Sequence, residues 1–590
     1  MESPKQVSPT LCTWLPVVPK AFNTPARRLS AQLTRLFPNR PRLAKASSAD
    51  PSSRLLTSIS APNQAAITSP QPPQVHATPG ASSSASQHLR AQASYFSNAG
   101  YMQILSHQDV AEDDQVQPRQ MPADHSDVDD ISVALQAGFL ETYFEYCFYW
   151  CPVIDPEFVQ WQTDGIESLL LRHALALCGN RINPPLIQCK DSIAYYNRAK
   201  KLFYGDCEGN ALVRLSAIML FFWWSTGAPN MVNMDNAWWW TGIAIRIAQE
   251  SGLHREPQPH QMTRPGETAG LRRRIWWTLF VNRILSISQG RPTVIDPDYC
   301  DVKMVTPEDF PEPSHPKVHV FINWVKVLDI GGQISKQLSR RVKERSGIKN
   351  FSRDLISWVR SLPDTLSLHI RTARTTAFDR AVHRLYVTYL TNVQLLHMNK
   401  SSRLLPKASN AAIIAASCVA RIFEDYLARG TIRFLSGEAG WEIAVALLAL
   451  LHACRIDGLR SHASADMRTL RTALKHMAPY WPSSRMFNSA FDKLLGTDQT
   501  SVSMIPTPPV GIAEANEEEH AEMLDPDDGV ADLMDYFPFV TSQTSPLIDA
   551  VLAQNQVMPF AGFDWPMDIN ATLEEFLALP DDHSFDILNL

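Results

Sequence analysis

Three arginines run directly into two tryptophans at Arg272–Trp277, inside LRRRIWWTLFVNRILSISQGRP (Leu271–Pro292). Cations beside aromatics are what a nucleic-acid surface uses, the first for phosphates and the second for bases. The spacing argues against that use. On a helix at about 100° per residue, Trp276, Trp277, Phe280, Val281, Ile284, Leu285 and Ile287 cover roughly half the circumference. Thr278, Asn282, Arg283 and Ser286 take the other arc, with Ile275 and Leu279 among them. Consecutive arginines point three ways, whereas a phosphate-tracking stripe needs cations at i, i+3/i+4 and i+7. The stretch is therefore expected to be a buried helix. Its arginines should sit at the entry and rim, with packed stems and heads reaching water or a carboxylate.

Other candidate chemistry is sparse. The nine cysteines are odd in number and irregular in spacing. That argues against a secreted disulfide framework and fits a reduced compartment. The motifs G-x-S-x-G, H-E-x-x-H, G-x-G-x-x-G and G-x₄-G-K-[ST] do not occur in the sequence. Asp129-Asp130 lacks the third acid that a metal–diphosphate site would want, and Asp113-Asp114, Asp527-Asp528 and Asp581-Asp582 fall in expected tails. His173, His383 and His397 read as surface or satisfied core residues. The chain is expected not to be an enzyme, with no catalytic, cofactor-binding or metal-binding residue assigned and DNA-contacting residues unknown.

The elements that would position these residues follow from hydrophobic periodicity. With 45% hydrophobic residues, much of the chain can bury a core. Residues 1–128 read as a disordered, basic, Ser/Pro-rich arm. SPQPPQVHATPGASSSASQ (Ser69–Gln87) cannot bury enough apolar surface to offset chain entropy. Residues 21–48 are Arg-rich and acid-free, a weak likeness to a mitochondrial transit peptide, with a plain basic arm as the other reading. From 129 to 496 apolar residues recur at helical spacing and no run of alternating strands is evident, so the fold class is all-α. Thirteen helices are expected, at Val133–Tyr149, Ile166–Cys178, Ile193–Phe203, Ala211–Trp224, Asn236–Ser251, Leu271–Ser288, Val318–Glu344, Phe351–Leu362, Thr376–Met398, Asn410–Arg429, Gly437–Gly458, Asp466–Met477 and Ser484–Leu495. The longest apolar run, Ile443–Leu451, is about half the ~20 residues a membrane span needs.

In the fifth of these helices, Gly242 follows Trp238 by one turn and is expected to admit a neighbouring helix. Gly252 has the position of a C-terminal stop, with Leu253 folding back. Trp238, Trp239 and Trp240 read as core, with a ligand pocket lined by them and by Trp223-Trp224 as the alternative.

Residues 497–590 differ from the rest. No Lys or Arg follows Leu494, while about nineteen acids do, leaving about +13 for the remainder of a chain of net charge −6. Hydrophobic clusters sit among the acids at DLMDYFPF (Asp532–Phe539), FDWPMDI (Phe563–Ile569) and LEEFLALPDD (Leu573–Asp582). Thr572 and Glu575 have capping-box spacing, and Leu573, Phe576 and Leu577 share a helical face. Such a tail is expected to fold onto a partner's groove, as activation segments do. A solubilising tail is the bland alternative.

A W-x₃-G-x-A-x-R-x-A pattern (Trp238, Gly242, Ala244, Arg246, Ala248) runs into Gly252-Leu253-His254-Arg255, then R-R-R-I-W-W (Arg272–Trp277) and G-R-P (Gly290–Pro292). Together with FEYCFYWCPVIDPEF (Phe144–Phe158), this resembles the middle homology region of fungal-specific transcription factors, of the cutinase transcription factor kind. The resemblance implies an all-helical regulatory domain, a nuclear location and control of transcription. Specialised-metabolite or nutrient-use genes are expected targets by analogy. Coactivators or the transcription machinery are expected partners of the tail, with a homo- or heterodimer as a further option and no membrane.

Two departures stand out. Asn282-Arg283 replaces the family's frequent Asp-Arg. The zinc cluster expected for the family needs six clustered thiolates, but only Cys12 precedes Cys147 here, so no zinc or other cofactor is assigned. A non-DNA-binding co-regulator acting through a partner transcription factor is the alternative function.

Overall fold

The computed structural model describes residues 131–496, apart from short stretches between 158 and 164, 226 and 231, 260 and 265, 289 and 298, 340 and 345, and 399 and 405, together with 533–557. The basic arm, Phe158, the G-R-P motif and the clusters after Val557 lie outside the described residues. So do the side chains of Arg283, Ile284, Leu285, Ser286 and Ile287.

Fourteen α-helices and one two-stranded hairpin make up the described regular structure beside short single turns. The first six helices are α1 (Val133–Thr142), α2 (Leu169–Ile182), α3 (Ser192–Tyr204), α4 (Ala211–Leu220), α5 (Ala237–Glu250) and α6 (Ala269–Ser288). Then come α7 (Val318–Ser339), α8 (Ser346–Arg360), α9 (Arg380–His397) and α10 (Asn410–Ala428). The last four are α11 (Glu438–Ala453), α12 (Arg460–Met477), α13 (Pro482–Gly496) and α14 (Pro546–Val557). Strands β1 (Trp161–Gln162) and β2 (Gly165–Ile166) pair antiparallel, Trp161 opposite Ile166. The all-α class and the thirteen expected helices up to Gly496 are present.

Polar side chains start many of these helices. Ser168, Asp191, Asn210 and Asn236 each accept a bond from a backbone N–H of the first turn, at 3.2, 2.7, 3.0 and 2.9 Å. Each satisfies a donor that the helix itself leaves open. Helix α5 ends as its sequence predicts. Gly252 takes φ +70°, its N–H bonds Gln249 O at 3.0 Å, and Leu253 N–H reaches back to Ala248 O at 2.9 Å. This is a Schellman stop, and it buries Leu253.

Three expectations need correction. The first helix does not run to Tyr149 as α-helix. Its α-helical part ends at Thr142 and a π-helical turn covers Tyr143–Cys147. That wider turn sends the Tyr143 hydroxyl to Cys151 O at 2.6 Å, and it accepts Val153 N–H at 3.1 Å. Second, Gly242 faces open space, so it admits no neighbouring helix. Tight approaches lie elsewhere, among them Gly179 against Phe139, Gly270 against the Asp309 backbone and Gly331 against Asn392, where a Cβ would collide. Third, the cluster at Leu533–Phe539 is packed on this chain's own helices.

That third point adds a fourteenth helix to the fold. Tyr536, Phe537, Phe539, Val540, Leu547, Ile548 and Val551 are all buried. Phe539 meets the Tyr386 ring edge-on at 4.8 Å, and Tyr389 Oη donates to Tyr536 O at 2.9 Å. Arg360 pairs with Asp535. Ser545 caps α14 at Ile548 N (3.1 Å) and meets Ser417 Oγ of α10 at 2.7 Å. The pattern of acids around apolar residues reads alike for a free segment and for one that covers the chain's own core. Long-range packing distinguishes them.

Candidate functional site: an aromatic cavity beside the arginine-led helix

Helix α6 places its arginines deeper than its sequence predicts. Arg273 spans Glu256 (2.5 Å) and Asp309 (2.6 Å), as a rim arginine would. Arg272 pairs with Glu267 at 2.6 Å and donates to Ser251 O at 2.8 Å, so it ties α6 to the end of α5. Arg274 is only 1% exposed. Its Nε donates to Pro152 O at 2.9 Å, Nη1 to Asp309 O and Nη2 to Asp155. All three nitrogens of its fork are used, and they draw together segments more than a hundred residues apart.

As far as Asn282, α6 is buried more widely than half its circumference. Ile275, Thr278 and Leu279, assigned to the polar arc by phasing, are fully buried, as is Trp276. Trp277 is half-buried and donates Nε1 to Lys303 O at 2.7 Å. No base-stacking face is left on Trp276, and the arginine heads are engaged by protein oxygens.

Asn282, one turn further along α6, donates to Thr278 O at 2.8 Å and borders a cavity of about 160 Å³. Segments from both halves of the described body meet there. The loop after α1 contributes Tyr146 and Trp150, the turn after α4 contributes Phe222–Ser225, and the first turn of α5 contributes Trp238 and Thr241. From the later half come Trp324 of α7, Arg380 and Arg384 of α9, the start of α11, and Trp481 with Phe487. Seven tryptophans line this one space.

The pocket alternative for the tryptophan-rich segments is thus the one the geometry supports for Trp223, Trp224 and Trp238. Trp240, by contrast, is core: it is fully buried, is surrounded edge-on by Tyr196, Phe203 and Phe221, and donates Nε1 to Tyr196 Oη at 2.9 Å. Sequence reading missed Trp324, Trp481, Arg380 and Arg384, whose only signal is residue type.

The polar wall is ionic. Arg384 Nη1 lies 2.7 Å from Glu442 and donates to Thr388 Oγ1 at 3.0 Å. Burial opposes the Arg384 charge, but Glu442 and Glu438 outweigh it and hold its pKa above the ordinary arginine value. Burial pushes Glu442 up from the usual carboxylate range, against the pull of Arg384. Arg380 lies 3.6 Å from Glu145 and stacks its guanidinium 4.5 Å over the Tyr146 ring.

The described cysteines do not form a zinc site. Cys147 and Cys178 have sulfurs 3.4 Å apart in the buried core, and burial holds the Cys147 and Cys151 thiols well above their ordinary pKa. Zinc needs thiolates, and six of them for the family's cluster, so these residues do not fit it. His383 and His397 are buried and pushed down to about 4 by loss of solvent, so they are neutral core side chains.

Residues 160–360 match the model of the fungal specific transcription factor domain. Cutinase transcription factor 1 alpha of Fusarium vanettenii is 26% identical over 399 residues, 62% of this chain and 43% of that protein. An acetamidase regulatory protein of Aspergillus oryzae is 26% identical over 374 residues, 59% of this chain and 46% of its own length. An uncharacterized transcriptional regulatory protein of Schizosaccharomyces pombe is 30% identical over 210 residues, 33% of this chain and 26% of that protein. The chain thus spans less than half the length of each of these relatives. No solved structure matches. The family and these relatives are named for transcription regulation and not for a catalysed reaction. The matched segment holds the arginine-led helix, the tryptophan-rich α5 and part of the cavity wall, and with it the chain carries a fungal specific transcription factor domain at residues 160–360.

Proposed function

We propose that this chain regulates transcription in the nucleus, with the helical body as a regulatory domain and residues 497–590 as an acidic activation segment. Specialised-metabolite or nutrient-use genes are the proposed targets, in keeping with relatives named for cutinase and acetamidase regulation. The observation that carries the reading is the docking of 533–557. Acidic sequence without Lys or Arg lies on both sides of this strap. A domain that grips the middle of an acidic tail can set how much of the tail a coactivator reaches.

A reporter assay tests it directly. Residues 497–590 fused to an unrelated DNA-binding domain should activate strongly, and residues 131–590 fused in the same way should activate less. No activation by the tail at equal expression overturns its role. A second reading is action through a partner transcription factor. Selection of one defined site from random DNA pools by the purified chain would decide against that second reading.

A further inference from the structure

We propose that Ser545 is a phosphorylation site, and that its modification releases the strap 533–557 from the helical body. The proposal rests on the docked geometry alone. Its readouts are phosphate transfer and proteolysis, so it stands or falls separately from the reporter assay above.

Ser545 is 8% exposed. Its Oγ accepts the Ile548 N–H at 3.1 Å and lies 2.7 Å from Ser417 Oγ of α10. Ser417 in turn donates to Asp466 of α12 at 2.6 Å. Two hydroxyls thus join the strap to a carboxylate of the body. Pro546, the next residue, is exposed, and Ser545 is the only serine followed by proline among the described residues. A serine with proline after it suits a proline-directed kinase. The same pair is also an ordinary helix start, a capping serine with proline at the first helical position. What sets Ser545 apart is what its hydroxyl touches.

A nucleoside triphosphate supplies the group. Ser545 Oγ bonds to the γ-phosphorus, and the bond from that phosphorus to the bridging oxygen breaks. The nucleoside diphosphate leaves, and the hydroxyl proton passes to a base of the kinase. The product carries about −1.5 to −2 charge and three acceptor oxygens.

That product does not fit the docked site. Ser417 Oγ already stands at hydrogen-bond distance where the phosphate would have to go, and Asp466 stands one hydroxyl further on. Glu424 of α10 acts on Asp466 as a further negative charge, and Asp549 lies one turn along α14. At a free helix start the dipole favours a phosphate. Here exclusion of a bulky dianion from a buried, acidic place outweighs it. A kinase takes its substrate as extended chain, so transfer occurs on straps that have opened, and the phosphate then blocks their return.

Incubating the full chain with magnesium ATP and a mitogen-activated protein kinase tests this, with sites read by mass spectrometry. Thr507, which also precedes a proline, serves as the reference acceptor. Phe537→Ala loosens the strap and should speed transfer to Ser545 about tenfold relative to Thr507. Chymotryptic cleavage after Phe539 should be about tenfold faster in chains phosphorylated at Ser545 than in unmodified chains. In Ser545→Ala, kinase treatment should leave cleavage after Phe539 unchanged. The idea is overturned by a strap that stays protected with phosphate on Ser545, or by equal transfer to Ser545 in the parent and Phe537→Ala. It is also overturned if Thr507 is modified while Ser545 is modified in neither protein, or if kinase treatment speeds cleavage equally in Ser545→Ala.

Discussion

Arg274 and Arg384 are both buried arginines, on α6 and α9, but they end differently. Arg274 spends Nε, Nη1 and Nη2 on Pro152, Asp309 and Asp155. Arg384 uses Nη1 on Thr388 and Glu442 and leaves Nη2 without a hydrogen bond beside a cavity. The difference teaches how closely each region matches a buried charge. Around α6 the protein supplies every partner of the Arg274 fork, so that region is scaffold. Around the start of α9 the match is looser, with Arg384 Nη2 3.8 Å from its carboxylate, Glu438. A guanidinium is suited to either task because it carries five donors in a fixed fork.

The largest effect should come from breaking the closely matched side. Arg274→Met leaves Asp155 and two carbonyls buried without their donor, and should lower unfolding free energy by about 3–5 kcal/mol in chemical denaturation. A loss under about 1 kcal/mol would show that α6 is not held by this fork.

The docked strap is closely matched too, through apolar burial. Phe537 is fully buried. Phe537→Ala should cost about 3 kcal/mol and make the chain around 533–557 the first site of limited proteolysis. Unchanged cleavage would mean that the strap is held from elsewhere.

Asp466 is an intermediate case, a buried carboxylate held by a hydroxyl, Ser417 Oγ at 2.6 Å, with no guanidinium beside it. Burial pushes its pKa up to about 7 from 3.8. The folded chain therefore keeps this proton across a window in which the unfolded chain has lost it. Stability from this group is complete below about pH 4 and falls as pH rises to about 7. Asp466→Asn should remove that fall, gaining roughly 1–3 kcal/mol at pH 8 and little at pH 4. Parallel pH profiles for the two proteins would contradict it.

The smallest effect should be Arg384→Lys. One ammonium still faces Glu442, so the loss should be about 1 kcal/mol or less, whereas Arg274→Lys gives up two of three bonds and should lose about 2–3 kcal/mol. Equal losses by thermal denaturation would erase the distinction between the two arginines.

How much of this was legible beforehand varies residue by residue. The Schellman stop at Gly252 was legible because it depends on six consecutive residues. Burial of Trp276 was legible because helical phasing is local. Ile275 and Leu279 were misplaced on a polar arc because α6 is covered from more than one side, by contacts that its own sequence does not contain. The depth of Arg274 was hidden for the same reason, since its partners lie more than a hundred residues away at Pro152 and Asp155. The cavity was legible only in part: Trp223, Trp224 and Trp238 cluster in sequence, while Trp324, Arg384 and Trp481 converge on them from distant helices.

The sequence by itself determined the helical class, the position of nearly every helix up to Gly496, and the division between a mildly basic body and an acid-rich end. Those follow from periodicity, capping and composition, which act over a few residues at a time. Only the tertiary structure decided which arginine is a buried clamp, which tryptophans converge on one cavity, and that Leu533–Phe539 covers this chain's own core. Pairing and cavity formation depend on which distant surfaces meet, and no local pattern carries that information.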